Sequence, residues 1–400
     1  MKSKLADLAV FGGPRSFEQP LHVGRPNIGD RGALLSRVED ILDRRWLTND
    51  GVYVGEFERR VAELLEVGHC VATTNGTAAL QLLVRAHGLR GEVIVPSLTF
   101  VATAHALEWE GVSPVFCDVG AETWTIDPEH VAELIGPETS AVVGVHTWGR
   151  ACDVERLDEV AKHRGLGLLF DAAHALGCSY RGIPIGGFGE GEVFSFHATK
   201  VCNSAEGGMV ATNDQALAQE LRSLRNFGFS GTDRVDSLGI NAKMSELSAA
   251  MGLTSLAELP RFIEHNRQTF GHYRSELSGL PGIELMEPPA GERWNHHYVV
   301  LQVHEEPAGL SRDQLLAVLR AEGVLARRYF HPGCHRAEPY VSRSGPPTDL
   351  PVTESLLDRV LCLPTGTAID QQAAGRVCAA IRVAVSEGAE ARRRLQEGRP

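Results

Sequence analysis

The 400-residue chain has no apolar run that approaches the ~20 residues needed to span a membrane. Its first residues also lack the charged and then apolar pattern of a signal peptide. Acidic residues (51) outnumber lysines and arginines (39), giving a formal net charge of −12, and the only basic run is the short triplet at 392–394. We therefore expect a cytoplasmic protein that binds neither a membrane nor the nucleic-acid backbone.

The eight cysteines contain no CxxC pair, and several lie in apolar, strand-like runs where a reduced thiol acts as a small hydrophobe. This pattern excludes a disulfide framework. A metal site is an alternative at His331, Cys334 and His335, with His296 and His297 nearby. No second ligand pair has zinc spacing, which favours a loop whose histidines line a ligand pocket, and we expect no metal.

Short apolar or β-branched runs alternate with helical patterns between residues 70 and 212. The alternation predicts an α/β fold with a mostly parallel central sheet and helices on both faces. Ligands of such sheets lie at the carboxyl ends of the strands. The predicted strands are 70–74, 92–96, 114–119, 141–146, 166–171, 193–196 and 208–212, and the predicted helices between the earlier ones are 77–87, 99–109, 128–135 and 153–163.

The remaining patterns predict four segments along the chain. They are an N-terminal arm (1–30), a large domain (31–245), a bridging helix (246–280) and a small C-terminal α+β domain (281–400). The expected elements outside the sheet are helices 31–44 and 214–227, a long helix 245–277 interrupted near Pro260, strands 296–303 and 325–330, and helices 311–321, 353–360 and 370–385.

Lys200 closes an apolar strand-like run, and Asp171 closes another 29 positions upstream. A pyridoxal 5'-phosphate (PLP) enzyme needs such a pair, because the lysine carries the cofactor as a Schiff base and the carboxylate keeps the pyridine nitrogen protonated. Each residue has an alternative role: Asp171 as a cap of the turn at 172–174, and Lys200 as a surface lysine. The glycine-rich stretch 204–208 after Lys200 favours a crowded amine with a lowered pKa.

Other residue types complete the pattern of a cofactor site. Gly76 and Thr77, between a strand and a helix, offer a close backbone approach, a hydroxyl and a helix N-terminus to a phosphate, and Ser195 is a second hydroxyl candidate. A glycine turn with a threonine cap is the ordinary alternative. Phe100 could stack on a flat heterocycle or pack in the core. His174 could hydrogen-bond a cofactor hydroxyl or a substrate, or have a structural role.

Eight motifs together resemble the PLP-dependent sugar aminotransferases of the DegT/StrS type. The motifs occur in order, and the resemblance extends from about residue 26 to 366, nearly the whole chain. The motifs are WLTNDGVYVGEFE (46–58), NGTAAL (75–80), FDAAHALG (170–177), FSFHATK (194–200), EGGMV (206–210), NAKMSELSAAMGL (241–253), RRYFHPGCHRAEPY (327–340) and LPVTE (350–354).

The resemblance implies the aspartate aminotransferase fold, fold type I, in a homodimer with shared active sites. It implies PLP, with pyridoxamine 5'-phosphate as the intermediate form. The implied roles are covalent attachment at Lys200, the pyridine-nitrogen partner at Asp171, the ring stack at Phe100, phosphate contacts at Gly76, Thr77 and Ser195, and Asn241 reaching in from the partner subunit. Cofactor affinity should then depend on dimerisation.

Three positions bear on the reaction type. Many relatives have arginine where this chain has Lys243, which weakens a bidentate role there. Relatives divide between glutamine and histidine at position 174, and histidine tends to accompany amination at C4 of the sugar. Related sugar 3-dehydratases carry histidine in place of the lysine, whereas Lys200 is present here and can act as the acid and base. Together these positions imply amination at C4, with a C3 aminotransferase and, more remotely, a dehydratase as alternatives.

Two other protein classes fit the sequence less well. A nicotinamide-dependent oxidoreductase would need GxGxxG after the first strand, and the glycines at 187–191 lack both the spacing and the position. A non-catalytic binding protein of this fold is expected to lose Lys200 or Asp171, or to carry a DNA-binding segment, and neither is seen.

The sequence therefore predicts transfer of an amino group from L-glutamate to a nucleotide-activated keto-sugar. The specific hypothesis is conversion of TDP-4-keto-6-deoxyglucose to the 4-amino-4,6-dideoxy sugar, as in the tailoring of glycosylated natural products, including antibiotics. The candidate substrate contacts are Thr48, Asn49, Tyr329, His331 and His335.

Overall fold

The computed structural model describes residues 2–343 and 349–398. The outer ends of the predicted arm and small domain, residue 1 and residues 399–400, lie outside these ranges, as do residues 344–348 of the small domain. The strands are β1 (Leu21–His22), β2 (His69–Thr73), β3 (Glu92–Pro96), β4 (Ser113–Cys117), β5 (Thr139–Val145), β6 (Gly167–Asp171), β7 (Ser179–Tyr180), β8 (Ile183–Pro184), β9 (Gly191–Ser195), β10 (Gly208–Thr212), β11 (Phe229–Gly231), β12 (Arg234–Val235), β13 (Ile283–Leu285), β14 (Val299–Val303), β15 (Val324–Leu325) and β16 (Val360–Leu363).

Helices account for most of the remaining regular structure. They are α1 (Arg31–Arg44), α2 (Val52–Leu65), α3 (Gly76–Ala86), α4 (Ala102–Trp109), α5 (Pro128–Leu134), α6 (Val154–Arg164), α7 (Gln215–Leu224), α8 (Glu246–Ala257), α9 (Leu259–Leu277), α10 (Glu305–Ala308), α11 (Arg312–Ala321), α12 (Tyr340–Arg343), α13 (Pro351–Arg359), α14 (Gln371–Ser386) and α15 (Gly388–Glu397). Within the described ranges, no helix combines the length and the apolar character needed to cross a membrane.

The central sheet has seven strands in the order β2-β10-β9-β6-β5-β3-β4. Only β10 runs antiparallel to its neighbours, which confirms the predicted mostly parallel α/β sheet. Val93, Ile94 and Val95 of β3 are fully buried, as expected for a strand covered by helices on both faces. Because the other six strands point the same way, the loops after them meet at one edge of the sheet, which we call the carboxyl edge.

The small domain is built on the antiparallel sheet β13-β14-β16, against which α9, α11 and α14 pack. Leu5, Leu8 and Phe17 belong to the same core, and β1 pairs with β15 in parallel. These contacts attach residues 5–22 to the small domain. The division into four segments remains a proposal. Within it, the N-terminal arm packs against the small C-terminal domain.

Several predicted elements have different bounds in the structure. The long helix is interrupted at Glu258, just before the predicted position at Pro260. Pro260 itself is accommodated in the first turn of α9. The strand predicted at 325–330 ends at Leu325, and the strand predicted at 296–303 begins only at Val299. Residues 293–298 instead leave the small domain and cross to the carboxyl edge of the central sheet.

Candidate active site

Asp171 is the last residue of β6, and its side chain is buried at the carboxyl edge. Oδ2 accepts a hydrogen bond from the Thr103 hydroxyl at 2.8 Å, and Oδ1 accepts one from the Ala173 N–H at 3.0 Å. The Thr103 hydroxyl is within 2.9 Å of that of Thr99. The bond from Ala173 is the contact expected if Asp171 caps the turn at 172–174. The same carboxylate also interacts electrostatically with Lys200.

Lys200 lies in the turn that follows β9, within electrostatic range of the Asp171 carboxylate. Burial lowers the pKa of Lys200 to about 8, and the negative charge of Asp171 opposes part of that shift. A substantial fraction of the amine is therefore neutral near physiological pH. The Lys200 amine and the Asp171 carboxylate are near enough to interact electrostatically, and the lowered pKa suits a nucleophilic amine.

His174 lies in the turn after β6 and is buried. Burial, reinforced by the charge of Lys200 and by His297, holds the pKa of His174 well below its usual range. Nδ1 accepts the N–H of Trp148 at 3.1 Å, so the proton of the neutral ring is on Nε2. The His174 side chain is thereby fixed as a hydrogen-bond donor through Nε2.

Gly76 is the first residue of α3 and lies against Ser195 at the end of β9. A Cβ built on Gly76 would be 3.3 Å from the Cβ of Ser195, so a larger residue would narrow the space between them. The Asn75 side chain caps α3 by accepting the Ala78 N–H at 2.8 Å. The N-terminus of α3, with Thr77 in its first turn, thus lies next to Ser195, and its free N–H groups together with the Ser195 hydroxyl suit an anion.

Aromatic rings line the same edge. The ring of Phe330 stacks on His174 at 5.6 Å with an interplanar angle of 1°, and on Trp148 at 6.2 Å. Phe100 is 56% exposed and lies 6.4 Å from Phe330. The exposed face of Phe100 is free to cover a planar ligand.

The candidate substrate contacts differ in their surroundings. Thr48 and Asn49 are exposed in the loop between α1 and α2, and His331 is also exposed. Tyr329 is partly buried 6.3 Å from Tyr298, whose ring in turn contacts His174 at 4.7 Å. Tyr329 thus belongs to the aromatic wall of the site.

His335 is already engaged within the protein. Its Nδ1 is 2.6 Å from the Ser97 hydroxyl, and its Nε2 is 3.5 Å from a carboxylate oxygen of Glu354. Both ring nitrogens therefore have neighbours of their own. His335 anchors its loop to the end of β3. Its ring could contact a substrate only after giving up its Ser97 or Glu354 neighbour.

Asn241 is exposed, and it forms an isolated bridge with Asn226. The next residue, Ala242, accepts a hydrogen bond from the Thr74 N–H at 2.8 Å, close to the start of α3. Lys243 donates to Oδ1 of Asn226 at 2.7 Å and lies over the Phe227 ring. The lysine that replaces the arginine of many relatives is therefore held within its own chain.

Sequence reasoning missed a buried pair behind Asp171. His146 follows β5, and its main-chain N–H donates to the main-chain oxygen of Asp171 at 3.0 Å. Its Nε2 is 3.2 Å from Oε2 of Glu192, and its ring stacks on Phe170 at 4.8 Å. The pair is fully buried, and the available signal was an acidic residue directly before the apolar residues Val193 and Phe194 of strand β9.

These residues fit PLP. The cofactor requires an amine of lowered pKa, a carboxylate for its pyridine nitrogen, an anion site for its phosphate and an aromatic face. These are supplied at one edge of one sheet by Lys200, Asp171, the α3 N-terminus at Gly76 next to Ser195, and the exposed ring of Phe100. Within residues 2–343 and 349–398, no cluster of three or more His, Cys, Asp or Glu side chains has the geometry of a metal site.

Comparison with known proteins agrees with this chemistry. The sequence profile of the DegT/DnrJ/EryC1/StrS aminotransferase family matches residues 30–382. The chain is 33% identical over 348 residues to a dTDP-4-amino-4,6-dideoxy-D-glucose transaminase of Shigella dysenteriae, covering 87% of this chain and 94% of that protein. It is 34% identical over 349 residues to a GDP-perosamine synthase of Caulobacter vibrioides, covering 86% and 93%.

A solved structure is similar over almost the whole chain. The crystal structure of DesI, determined in the presence of its TDP-sugar product, superposes with a TM-score of 0.94 at 52% identity and covers 98% of this chain and 100% of that chain. The fold, the cofactor chemistry and the family profile agree: the chain belongs to the DegT/DnrJ/EryC1/StrS aminotransferase family and is a PLP-dependent aminotransferase of fold type I.

Proposed function

We propose that the protein transfers an amino group from L-glutamate to TDP-4-keto-6-deoxyglucose and forms TDP-4-amino-4,6-dideoxyglucose. The observation that carries the proposal is the Lys200 amine within electrostatic range of the Asp171 carboxylate, in a chain 52% identical to DesI, whose structure was determined with its TDP-sugar product. The relative from Shigella dysenteriae, a dTDP-4-amino-4,6-dideoxy-D-glucose transaminase, supports the same substrate class and the C4 position.

Each site residue has a proposed task. When bound, PLP supplies an electron sink that makes a substrate C–H bond acidic. Lys200 would hold the cofactor covalently, and its free amine would take a proton from one carbon and return it to another. Asp171, kept in place by Thr103 and Ala173, holds a proton at the pyridine nitrogen. His174 donates through Nε2 to an oxygen of the cofactor or of the sugar.

Gly76, Thr77 and Ser195 are proposed to bind the cofactor phosphate, and Phe100 to stack on the ring. Thr48, Asn49, Tyr329, His331 and His335 are proposed to contact the sugar nucleotide. The position of Tyr329 in the aromatic wall supports its role most directly. His335 would have to exchange its Ser97 and Glu354 neighbours for a substrate group.

The protein is proposed to be a homodimer in which Asn241 reaches the partner's phosphate site. Support comes from an exposed apolar face around Asn241. The ion pair between Arg225 and Asp50, 2.7 Å apart, joins the loop after α1 to the segment before Asn241. The exposed apolar face consists of Trp46, Leu47, Val52, Phe227, Leu238, Ile240 and Leu247. So much apolar surface around one site indicates a protein partner, and a second copy would complete the phosphate site.

A location in the cytoplasm and a place in natural-product, including antibiotic, deoxysugar biosynthesis are also proposed. All eight cysteines are buried and unpaired, as in proteins from reducing compartments.

The proposal is tested by incubating the purified protein with PLP, glutamate and, separately, 3-keto and 4-keto TDP-sugars, and identifying products by NMR. We expect amination of the 4-keto sugar only. Turnover of only the 3-keto sugar would establish the C3 alternative, and loss of a C3 hydroxyl would establish a dehydratase. Borohydride should fix the cofactor on the peptide that contains Lys200, and Lys200→Ala should abolish transamination.

A further inference from the structure

Residues 293–298 form a connection between the domains that we call the interdomain strap. It precedes β14 of the small domain and crosses the carboxyl edge of the central sheet. Trp294 donates through Nε1 to the main-chain oxygen of Trp148 at 3.2 Å. Asn295 donates through Nδ2 to the main-chain oxygens of His174 at 2.8 Å and Leu176 at 3.1 Å. The strap therefore holds the turns that follow β5 and β6.

His297 extends this pattern to the turn that carries Lys200. Its Nε2 donates to the main-chain oxygen of Thr199 at 2.7 Å. A carbonyl oxygen can only accept, so the proton of the ring is on Nε2. The N–H of His297 itself donates to Oδ1 of Asn295 at 3.0 Å, which orients the side chain from within the strap.

The hydrogen bond acts on the peptide unit between Thr199 and Lys200. The other end of that planar unit, the Lys200 N–H, donates to the main-chain oxygen of His197 at 2.9 Å. One peptide plane is therefore fixed at both its oxygen and its nitrogen. Since the Cα of Lys200 is the last atom of this plane, the two hydrogen bonds fix its position and restrict the directions in which the side chain can leave.

The surroundings of His297 favour a neutral ring. The side chain is buried, and Nδ1 has no hydrogen-bond partner within the part of the chain that the structure describes. The titratable groups around the ring are Lys200 and His174 in the large domain and Tyr298 in the strap. Burial, together with the charge of Lys200, lowers the pKa of His297 to about 4. A neutral ring adds no second positive charge beside the lysine.

We propose that His297 is a positioning residue for Lys200, which fixes the peptide plane before the lysine from the small domain. The proposal rests on the proposed function insofar as Lys200 is the residue that holds the cofactor. Trp294 and Asn295 keep the strap in place independently, so a substitution at position 297 removes the grip on Thr199 and leaves the other contacts.

The test compares three variants as PLP-loaded dimers or monomers, whichever forms in solution. His297→Gln places an amide N–H near the position of Nε2 and keeps the donor. His297→Leu removes it, and His297→Asn keeps a polar group that is too short to reach Thr199. Visible circular dichroism reports the orientation of the bound cofactor, and stopped-flow absorbance reports the single-turnover reaction with glutamate.

We expect His297→Gln to retain the visible dichroism and a glutamate rate within about twofold of the wild type, because the Thr199 hydrogen bond persists. His297→Leu and His297→Asn should lose most of the dichroism and react at least about tenfold more slowly, since small displacements of a reacting group reduce rates by such factors. Their KM for the keto-sugar should stay within about twofold, because the sugar contacts proposed above are unchanged.

Two results would overturn the proposal: unchanged dichroism and rate in both variants that lack the donor, or a His297→Gln variant as impaired as His297→Leu. If His297→Leu does not fold, the pair Gln and Asn still decides the question. Failure of the proposed function has a different signature. Wild-type protein would bind PLP at Lys200 and aminate no TDP-keto-sugar, and the dichroism comparison would still apply.

Discussion

The hydroxyl of Thr103 donates to Oδ2 of Asp171 at 2.8 Å, and it connects helix α4 to the end of strand β6. A carboxylate buried in this way depends on each of its donors, and the loss of a hydrogen bond to a charged group costs ~1.5–3 kcal/mol. Thr103 therefore stabilises the charge on which cofactor binding is proposed to depend.

Thr103→Val should raise the dissociation constant for PLP by roughly tenfold or more, because each 1.4 kcal/mol corresponds to about one factor of ten. Equilibrium titration of the cofactor-free protein, followed by absorbance, measures this change. Thr212→Val is the matched control, since Thr212 is also buried and donates to the main-chain oxygen of Glu190 at 2.9 Å, away from the site. Equal PLP affinities in the two variants would contradict the role of Thr103.

The pKa of Lys200, lowered to about 8 by burial, predicts the pH dependence of cofactor capture. Capture requires the neutral amine, so its rate should rise about tenfold per pH unit below pH 8 and level off above it. Stopped-flow mixing of the cofactor-free protein with PLP between pH 6 and pH 10 measures the break. Asp171→Asn should move the break to lower pH, because the Asp171 charge raises the Lys200 pKa. The exposed control Asp233→Asn should leave it in place.

Gly76→Ala should weaken PLP binding, because the new Cβ would lie 3.3 Å from Ser195 in the proposed phosphate site. Binding of pyridoxal, which has no phosphate, should change much less. Isothermal titration with both ligands separates the two effects. Gly55→Ala on helix α2 is the control, since a Cβ there meets no atom within 4 Å. A parallel loss of PLP and pyridoxal affinity would place the phosphate elsewhere.

Buried neutral histidines predict a loss of stability in acid. The pKa of His297 falls from 6.5 to about 4 on folding, so the unfolded chain binds one more proton than the folded protein between these values. The unfolding free energy should therefore decrease by about 1.4 kcal/mol per pH unit from this group as the pH falls from 6.5 to 4. Urea unfolding at several pH values gives the slope of the unfolding free energy against pH. This slope should be smaller by that amount in His297→Gln and unchanged in the exposed control His163→Gln.

Leu238→Glu should dissociate the proposed dimer, because Leu238 is 75% exposed in the apolar face beside Asn241. Sedimentation velocity should show monomers, and PLP affinity should fall as the partner's Asn241 is lost. Trp109→Glu introduces the same charge at another exposed apolar residue, outside that face, and should leave the dimer intact. A wild-type protein that is monomeric at micromolar concentration and fully active would refute the shared site.

The carboxyl edge was predictable because it depends on local periodicity. Asp171 and Lys200 each follow an apolar strand, and parallel strands place their carboxyl ends together whatever the details of packing. Helix α2 was not predicted although its buried residues Val54, Phe57, Val61 and Leu65 follow helical spacing. The helical spacing of these apolar residues is visible in the sequence, but no helix was predicted from it.

Other features have no local signature. His297 was included in a predicted strand because the run before Val299 is compatible with one. In the structure, the His297 ring donates a hydrogen bond to the main-chain oxygen of Thr199. The neighbouring Asn295 donates to the main-chain oxygens of His174 and Leu176. A main-chain oxygen is the same in every residue, so its partner cannot be inferred from side-chain patterns. Thr103 is similar, because only the tertiary fold brings its hydroxyl on α4 to Asp171 at the end of β6.

The interdomain strap also affects how the protein matures during synthesis. Lys200 is made about a hundred residues before His297, and until residues 293–298 have been made the turns after β5, β6 and β9 lack their contacts with Trp294, Asn295 and His297. The nascent large domain therefore holds its lysine without the clamp that orients it. A nascent chain arrested before residue 293 should therefore bind PLP without the ordered geometry of the finished enzyme, and that geometry should be acquired only when the start of the small domain docks.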